Sequence, residues 1–435
     1  MTSANAAEIR DQLVAAISED SVADLTSRLV RTRSVTGEEA ALSQLLADEL
    51  RYASFEVIIR EFAPGRTNVF GRRKANGVAK QLLLAGHTDT VNVHDWERVW
   101  PDDQRRNPFG AIVVGPDLWG RGTADQKGGI AVILSAIQAL DRLGLNSAYD
   151  ITVAFVGDEE SGEPGTGLSL GIRQYADMVL ASELPKPDIA IYTEPTSLSV
   201  YTCQPGFIIG RVEVKGRASY FAFPWLGRDA IRNGHRILAA LYSYADRLAD
   251  GPKHVGIGNA LMVITGMQGG ESVAVSEHCA IDFIRTVLPA ESMDRVADEI
   301  RTLVGSVSLD SDVTVNVSYT AGRDHVNGGM PSESGIGSPE SEQLAAAVAL
   351  VGGTPSVGAA PYWSEMPIVD KLGARTLYFG PGDISNCHTA LERVPLLELT
   401  RAARALAVFL ALSEDCISFV ARSSSMATNP NFDHQ

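Results

Sequence analysis

At 435 residues with 45% hydrophobic content, the chain reads as a globular protein too long for one compact core, which predicts two domains. Its 53 acidic against 37 basic side chains, a net charge of -16, argue against nucleic acid or an anionic membrane as partner, because either calls for a basic patch. The opening MTSANAAEIRDQL has no basic segment followed by an apolar one, apolar runs such as 406–412 cannot span a bilayer, and Cys203, Cys279, Cys387 and Cys416 show no paired spacing, so a cytoplasmic protein with reduced thiols is expected.

Apolar runs of strand length alternate with helical periodicity in the first part of the chain. Strands are predicted at 81–85 (QLLLA), 151–157 (ITVAFVG) and 189–193 (IAIYT), with a helix over 129–143 between two of them. Strand, helix, strand at this spacing predicts an α/β sheet with parallel connections, and open α/β sheets place their sites just after strand ends. From 206 the rhythm changes to a strand at 207–215, a helix at 228–249, strands at 261–265 and 279–287, a helix at 292–304 and a strand at 313–319. That β-α-β-β-α-β order is the ferredoxin-like split motif. The chain then returns to its first domain through helices at 338–351 and 394–412 and a strand at 375–379. The expected division is therefore a first domain of 1–205 and 321–421, an inserted domain of 206–320, and a polar flexible tail at 422–435.

Five motifs carry chemistry: His87 in GHTDTV, Asp125 in WGRGTADQKGG, Glu159 and Glu160 in GDEESG, Glu194 in YTEPT, and His388 in GPGDISNCHTALE. Neutral imidazole is a common ligand for zinc-like ions. Asp89 is expected to accept a hydrogen bond from the second imidazole nitrogen of His87 and so fix its tautomer. Taken alone, three of the motifs have blander readings: a loop histidine for His87, a solvated acidic turn for Glu159 and Glu160, and a phosphate loop for the Asp125 turn, although GRGTADQKGG does not fit GxxxxGK[ST]. Together, Asp125, Glu159, Glu160 and Glu194 would force some carboxyls to stay protonated, whereas two divalent ions offset four negative charges. Zinc, manganese and cobalt all suit such donors.

In this order and these contexts the motifs resemble the M20 family of metal-dependent amidohydrolases and peptidases. The resemblance implies an α/β metallopeptidase-like catalytic domain with the ferredoxin-like insertion as lid and dimerisation surface, hence a homodimer or higher homo-oligomer. It also implies one or two divalent metal ions, with His87 and Glu194 completing one position, Glu160 and His388 the other, and Asp125 bridging. Glu159 would take a proton from the attacking water and deliver it to the leaving nitrogen.

The chain also departs from the family. VEVKGRASYFAFPW places Tyr220 where the family carries a histidine that reaches the partner subunit's site. The aromatic loop of Tyr220, Phe221, Phe223 and Trp225 reads equally as a dimer contact or as a flat site for an aromatic substrate. Arg285 matches the family's arginine and is expected to pair with a substrate carboxylate; alone, it reads as a solvated charge. Trp363, Ser364 and Glu365 stand where the family's deacetylases carry a TEA-like segment. The expected activity is metal-dependent hydrolysis of a C–N bond in a small carboxylate-bearing molecule. The substrate is expected to be an aromatic amine such as 5-nitroanthranilate, giving a hydroxyaryl acid and ammonia, because no carbonyl oxyanion then needs the missing histidine. The alternatives are an N-acyl amino acid deacylase or a dipeptidase or carboxypeptidase and, from another class, a non-catalytic dimeric binding protein.

Overall fold

The structure is a computed structural model that describes residues 3–77, 79–160, 165–271, 273–320, 322–412 and 417. The described residues divide into two compact units. The first takes the residues up to Thr202, Ser334–Ala359 and those from Ser364 on; the second takes Cys203–Glu333 and Ala360–Trp363. The inserted unit therefore runs past the expected end at 320, and the segment expected as a tail lies outside the described residues.

An eight-stranded mixed sheet organises the first unit. Four neighbouring strands at its centre run parallel, in the order Tyr149–Val156, Lys80–His87, Ile189–Tyr192 and Arg375–Tyr378. Their interior is apolar on both faces, as expected of strands buried between helical layers. Glu56–Ala63 and Arg66–Arg73 extend one side as an antiparallel pair. The helix Lys127–Arg142, KGGIAVILSAIQALDR, is apolar nearly all round and buried along most of its length, packing against the helices Glu19–Arg31 and Leu396–Ala411. Its start lies hard against the sheet: a Cβ at Gly129 would come within 2.2 Å of the Thr193 carbonyl oxygen. Glycine there lets the helix begin beside a strand end, which brings the turn before it to the carboxyl edge of the sheet.

The second unit follows the predicted order. Its sheet aligns Met262–Glu271, Ala274–Val287, Gly206–Lys215 and Thr314–Tyr319, each antiparallel to its neighbour. The helices Ala230–Ala249 and Met293–Gly305 pack on it through Ile237, Leu241, Val296 and Ile300. This is the ferredoxin-like arrangement.

Candidate metal centre

His87 ends one central strand, Glu159 and Glu160 follow the next, and Glu194 follows a third, so parallel pairing delivers all of them to one edge of the sheet. Asp125 comes from the turn before the helix Lys127–Arg142. His388 comes from the loop after the fourth strand and holds a left-handed backbone, φ 60°, a strained conformation for a side chain of its size.

These residues form three overlapping sets whose donor atoms lie within 4.8 Å of one another: His87, Asp125 and Glu194; Asp125, Glu160 and His388; and His87, Glu159 and Glu160. Asp125 belongs to two sets with a different oxygen in each. Its Oδ1 is 2.9 Å from His87 Nε2 and its Oδ2 is 3.1 Å from His388 Nε2. His388 Nε2 is also 3.1 Å from Glu160 Oε1. Ser364 donates to Glu194 Oε1 at 2.7 Å and orients that carboxylate.

The electrostatics of the cluster follows from this crowding of buried carboxyls. Burial, with Asp125 and Glu159 nearby, drives the carboxyl of Glu194 well above the usual carboxylate range, and burial with Asp125 raises Glu160 as well. Burial opposes charge on both imidazoles, yet hydrogen bonds to Asp125 outweigh it: His87 is pushed well above its ordinary value, and His388, with Glu160 also helping, to about 11. The carboxylates thus favour positive charge at the positions that the two imidazoles face. A donor set of two imidazoles and buried carboxylates, with one carboxylate shared between two triads, fits a pair of divalent cations. His87 meets the tautomer requirement too: its Nδ1 donates to the Asp89 carbonyl oxygen at 2.9 Å, which leaves Nε2 facing the cluster.

That last contact corrects an expectation. The carboxylate of Asp89 was expected to hold the second nitrogen of His87, but it lies 3.8 Å from Nδ1, and the backbone carbonyl makes the bond instead. The carboxylate accepts the N–H groups of Glu159 (3.3 Å) and Glu160 (3.0 Å) and the hydroxyl of Thr36 (3.1 Å). Burial pushes its pKa up to about 7.

Arg285 also differs from expectation. In its own unit it is neither solvated nor free for a substrate carboxylate. Its side chain is 1% exposed and forms an ion pair with Glu291 (2.5 and 2.9 Å), and it also donates to the Thr286 carbonyl and, at 3.4 Å, to Tyr244. Tyr220 sits at the sheet edge of the second unit, 57% exposed, with its ring centroid 4.5 Å from that of Phe221.

Several contacts escaped the sequence. Glu365 is fully buried, accepts from Tyr192 at 2.5 Å, and is pushed by burial and by Glu159 to about 8. Gln126 Oε1 accepts the His87 N–H at 3.2 Å and the Thr193 hydroxyl at 3.2 Å. The turn of Asp158 is clamped by Arg66, which bonds Asp158 at 2.9 Å and Glu39 at 2.5 Å. Only Glu365 gave a signal, as an acid in the segment compared with the deacetylases.

The chain matches the model for peptidase family M20/M25/M40 over residues 83–412. Among solved structures it is similar to the aminopeptidase PepT of Bacillus cereus, with 17% identity over 91% of this chain and 99% of that one and a TM-score of 0.69. It is similar to the dipeptidase Dug1p of Saccharomyces cerevisiae at 12% identity, covering 97% and 99% of the two chains with a TM-score of 0.70. A dinuclear metal-binding M20 peptidase from Bacillus subtilis matches at 13% identity, covering 90% and 97% with a TM-score of 0.64.

Proposed function

We infer the reaction from the premise that this chain belongs to peptidase family M20/M25/M40, and is therefore a hydrolase acting on C–N bonds with divalent metal ions as cofactors. The proposed reaction is hydrolysis of the amide bond of a small peptide or N-acyl amino acid. One observation carries it: Asp125 offers one oxygen to each of two triads, and Glu159 stands beside them in a third set with His87 and Glu160.

When bound, the cations supply Lewis acidity that acidifies water and polarises the substrate oxygen. In the proposed site His87, Asp125 and Glu194 hold one and Asp125, Glu160 and His388 the other. Glu159 takes the proton of the attacking water and returns it to the departing nitrogen, so that an amine leaves rather than an amide anion. Asp89 keeps that base in place by holding its backbone N–H. The ferredoxin-like unit is the proposed lid and self-association surface.

A second reading has its own support. Tyr220, Phe221, Phe223 and Trp225 are each at least half exposed, a concentration of aromatic surface suited to stacking on a ring. It favours an aromatic amine such as 5-nitroanthranilate, where attack on a ring carbon sends charge into the nitro-substituted ring and releases ammonia. Incubating the manganese-loaded protein with dipeptides, N-acetyl amino acids and aminobenzoates separates the readings by product. Free amino acids support the amide reading; ammonia and a hydroxyaryl acid replace it with the aromatic one; no product from any of them sinks both.

A further inference from the structure

Glu392 lies four residues beyond His388 in the same loop and is completely buried. Its Oε1 accepts three backbone N–H groups, from Gly122 at 2.8 Å and from Ala124 and Asp125 at 3.2 Å each. Its other oxygen pairs with Arg121, whose side chain is 4% exposed and whose guanidinium carbon lies 5.6 Å from the centroid of the Trp96 ring. The backbone closes the link, since the Gly120 N–H donates to the Glu392 carbonyl at 3.3 Å. One side chain thus ties the turn that carries Asp125 to the loop that carries His388, across 267 residues of sequence.

A turn with three N–H groups within four residues converging on one carboxylate oxygen has little freedom left, because the bonds constrain the same few dihedral angles, and bonds to a charged acceptor are the strong ones. The direction in which Asp125 projects follows from that turn. Its meeting with His388 at 3.1 Å depends on both anchored segments. Its meeting with His87 depends on only one, because His87 is fixed by strand pairing.

We propose that Glu392 is a positioning residue that sets the spacing between Asp125 and His388, and through it the affinity of the cation position made by Asp125, Glu160 and His388. This rests on the metal reading of the cluster. Metal-free wild type, Glu392→Ala, Glu392→Gln and His388→Ala are titrated with manganese by equilibrium dialysis, and the melting temperature of each metal-free protein is recorded. Wild type is expected to take up two ions. In Glu392→Ala the weaker ion binds about tenfold to a hundredfold less tightly, the usual worth of an outer partner of a metal ligand, and the stoichiometry approaches that of His388→Ala. Glu392→Gln, which keeps an acceptor oxygen but turns its amide nitrogen toward Arg121, is expected to lose less than alanine, though still measurably. It decides the matter should the alanine variant not fold. A lowered melting temperature in both folded variants with wild-type affinity for both ions would make Glu392 a fold-holding residue only and overturn the proposal. Wild-type protein that takes up no manganese would instead overturn the metal reading beneath it.

Discussion

The carboxylate of Asp89 accepts the backbone N–H of Glu160 at 3.0 Å, while its carbonyl oxygen, on the other side of the same residue, receives Nδ1 of His87 at 2.9 Å. One residue therefore steadies a proposed ligand by its main chain and the acid turn by its side chain. Asp89→Asn keeps the first bond and replaces one accepting oxygen by a donor facing N–H groups. It is expected to lower kcat about tenfold to a hundredfold with smaller loss of metal affinity. Steady-state kinetics with a parallel metal titration checks this; a metal affinity that falls as far as kcat would return the effect to His87.

Glu159→Gln removes the proton carrier and leaves every member of the two triads sharing Asp125 in place. The expected result is at least about a hundredfold fall in kcat with unchanged metal content, the usual worth of a positioned acid/base. Activity within a few-fold of wild type would take Glu159 out of the mechanism.

Chelation is expected to abolish turnover, and manganese, zinc or cobalt to restore it. Because the cations bind the folded cluster, reloading also raises the melting temperature with metal concentration, each site adding about 2.7 kcal/mol of stability at a hundredfold excess over its Kd. Full turnover after exhaustive chelation would contradict the cofactor role.

Arg66 is a stability test away from the donor atoms. It is the shared partner of Glu39 and Asp158, both 0% exposed as side chains, and Asp158 in turn receives the N–H groups of Gly167, Leu168 and Leu170. Arg66→Met strands two carboxylates in the interior and is expected to cost about 3–5 kcal/mol in denaturant unfolding. A cost below about 1 kcal/mol, the range of a surface pair, would mean that the interior rearranges to pair them.

A pH test comes from Glu340, at the start of the helix Pro339–Leu350. Burial opposes its charge, but hydrogen bonds from Arg375 and Lys80 outweigh it and hold the carboxyl below its ordinary 4.5. A depressed folded-state value gives stability that is complete above the unfolded value and is lost as pH falls through the folded one. Glu340→Gln should therefore melt lower than wild type at neutral pH, with the gap closing from about pH 5 downward. A gap that stays constant across that range would assign the effect to shape rather than charge.

The runs QLLLA, ITVAFVG and IAIYT announced the centre of the sheet because strands buried on both faces have nowhere to put a polar residue. The ferredoxin-like order was legible for a related reason: each of its elements has a face packed in one small core. The strands Glu56–Ala63 and Arg66–Arg73 were silent: the first mixes charge with apolar residues at exposed and half-buried positions, and the second buries only Asn68, Val69, Phe70 and Gly71 between arginine-bearing ends, too short and too mixed an apolar run to stand out. Within the candidate site, the residues whose side chains cluster were readable from their motifs. What was not readable is who receives whom. Asp89 and Glu392 accept mostly from backbone N–H groups, which every residue type but proline offers alike, and Arg285 looked available because nothing in its own strand reveals Glu291 six residues on.

The pairing of His87 with Val156 at the last rung of their shared ladder makes the sheet a ruler for the chemistry. A slip of one residue would carry the imidazole about 3.3 Å along the strand and turn it to the opposite face. The ladder hydrogen bonds that Lys80–His87 makes to a parallel strand on each side, kept from water by the buried Leu82, Leu83 and Leu84, resist that slip and therefore set a tolerance on the position of the imidazole. Oiliness deep in the sheet is in this sense a calibration of the polar rim, and substitutions that never touch a donor atom can still detune it.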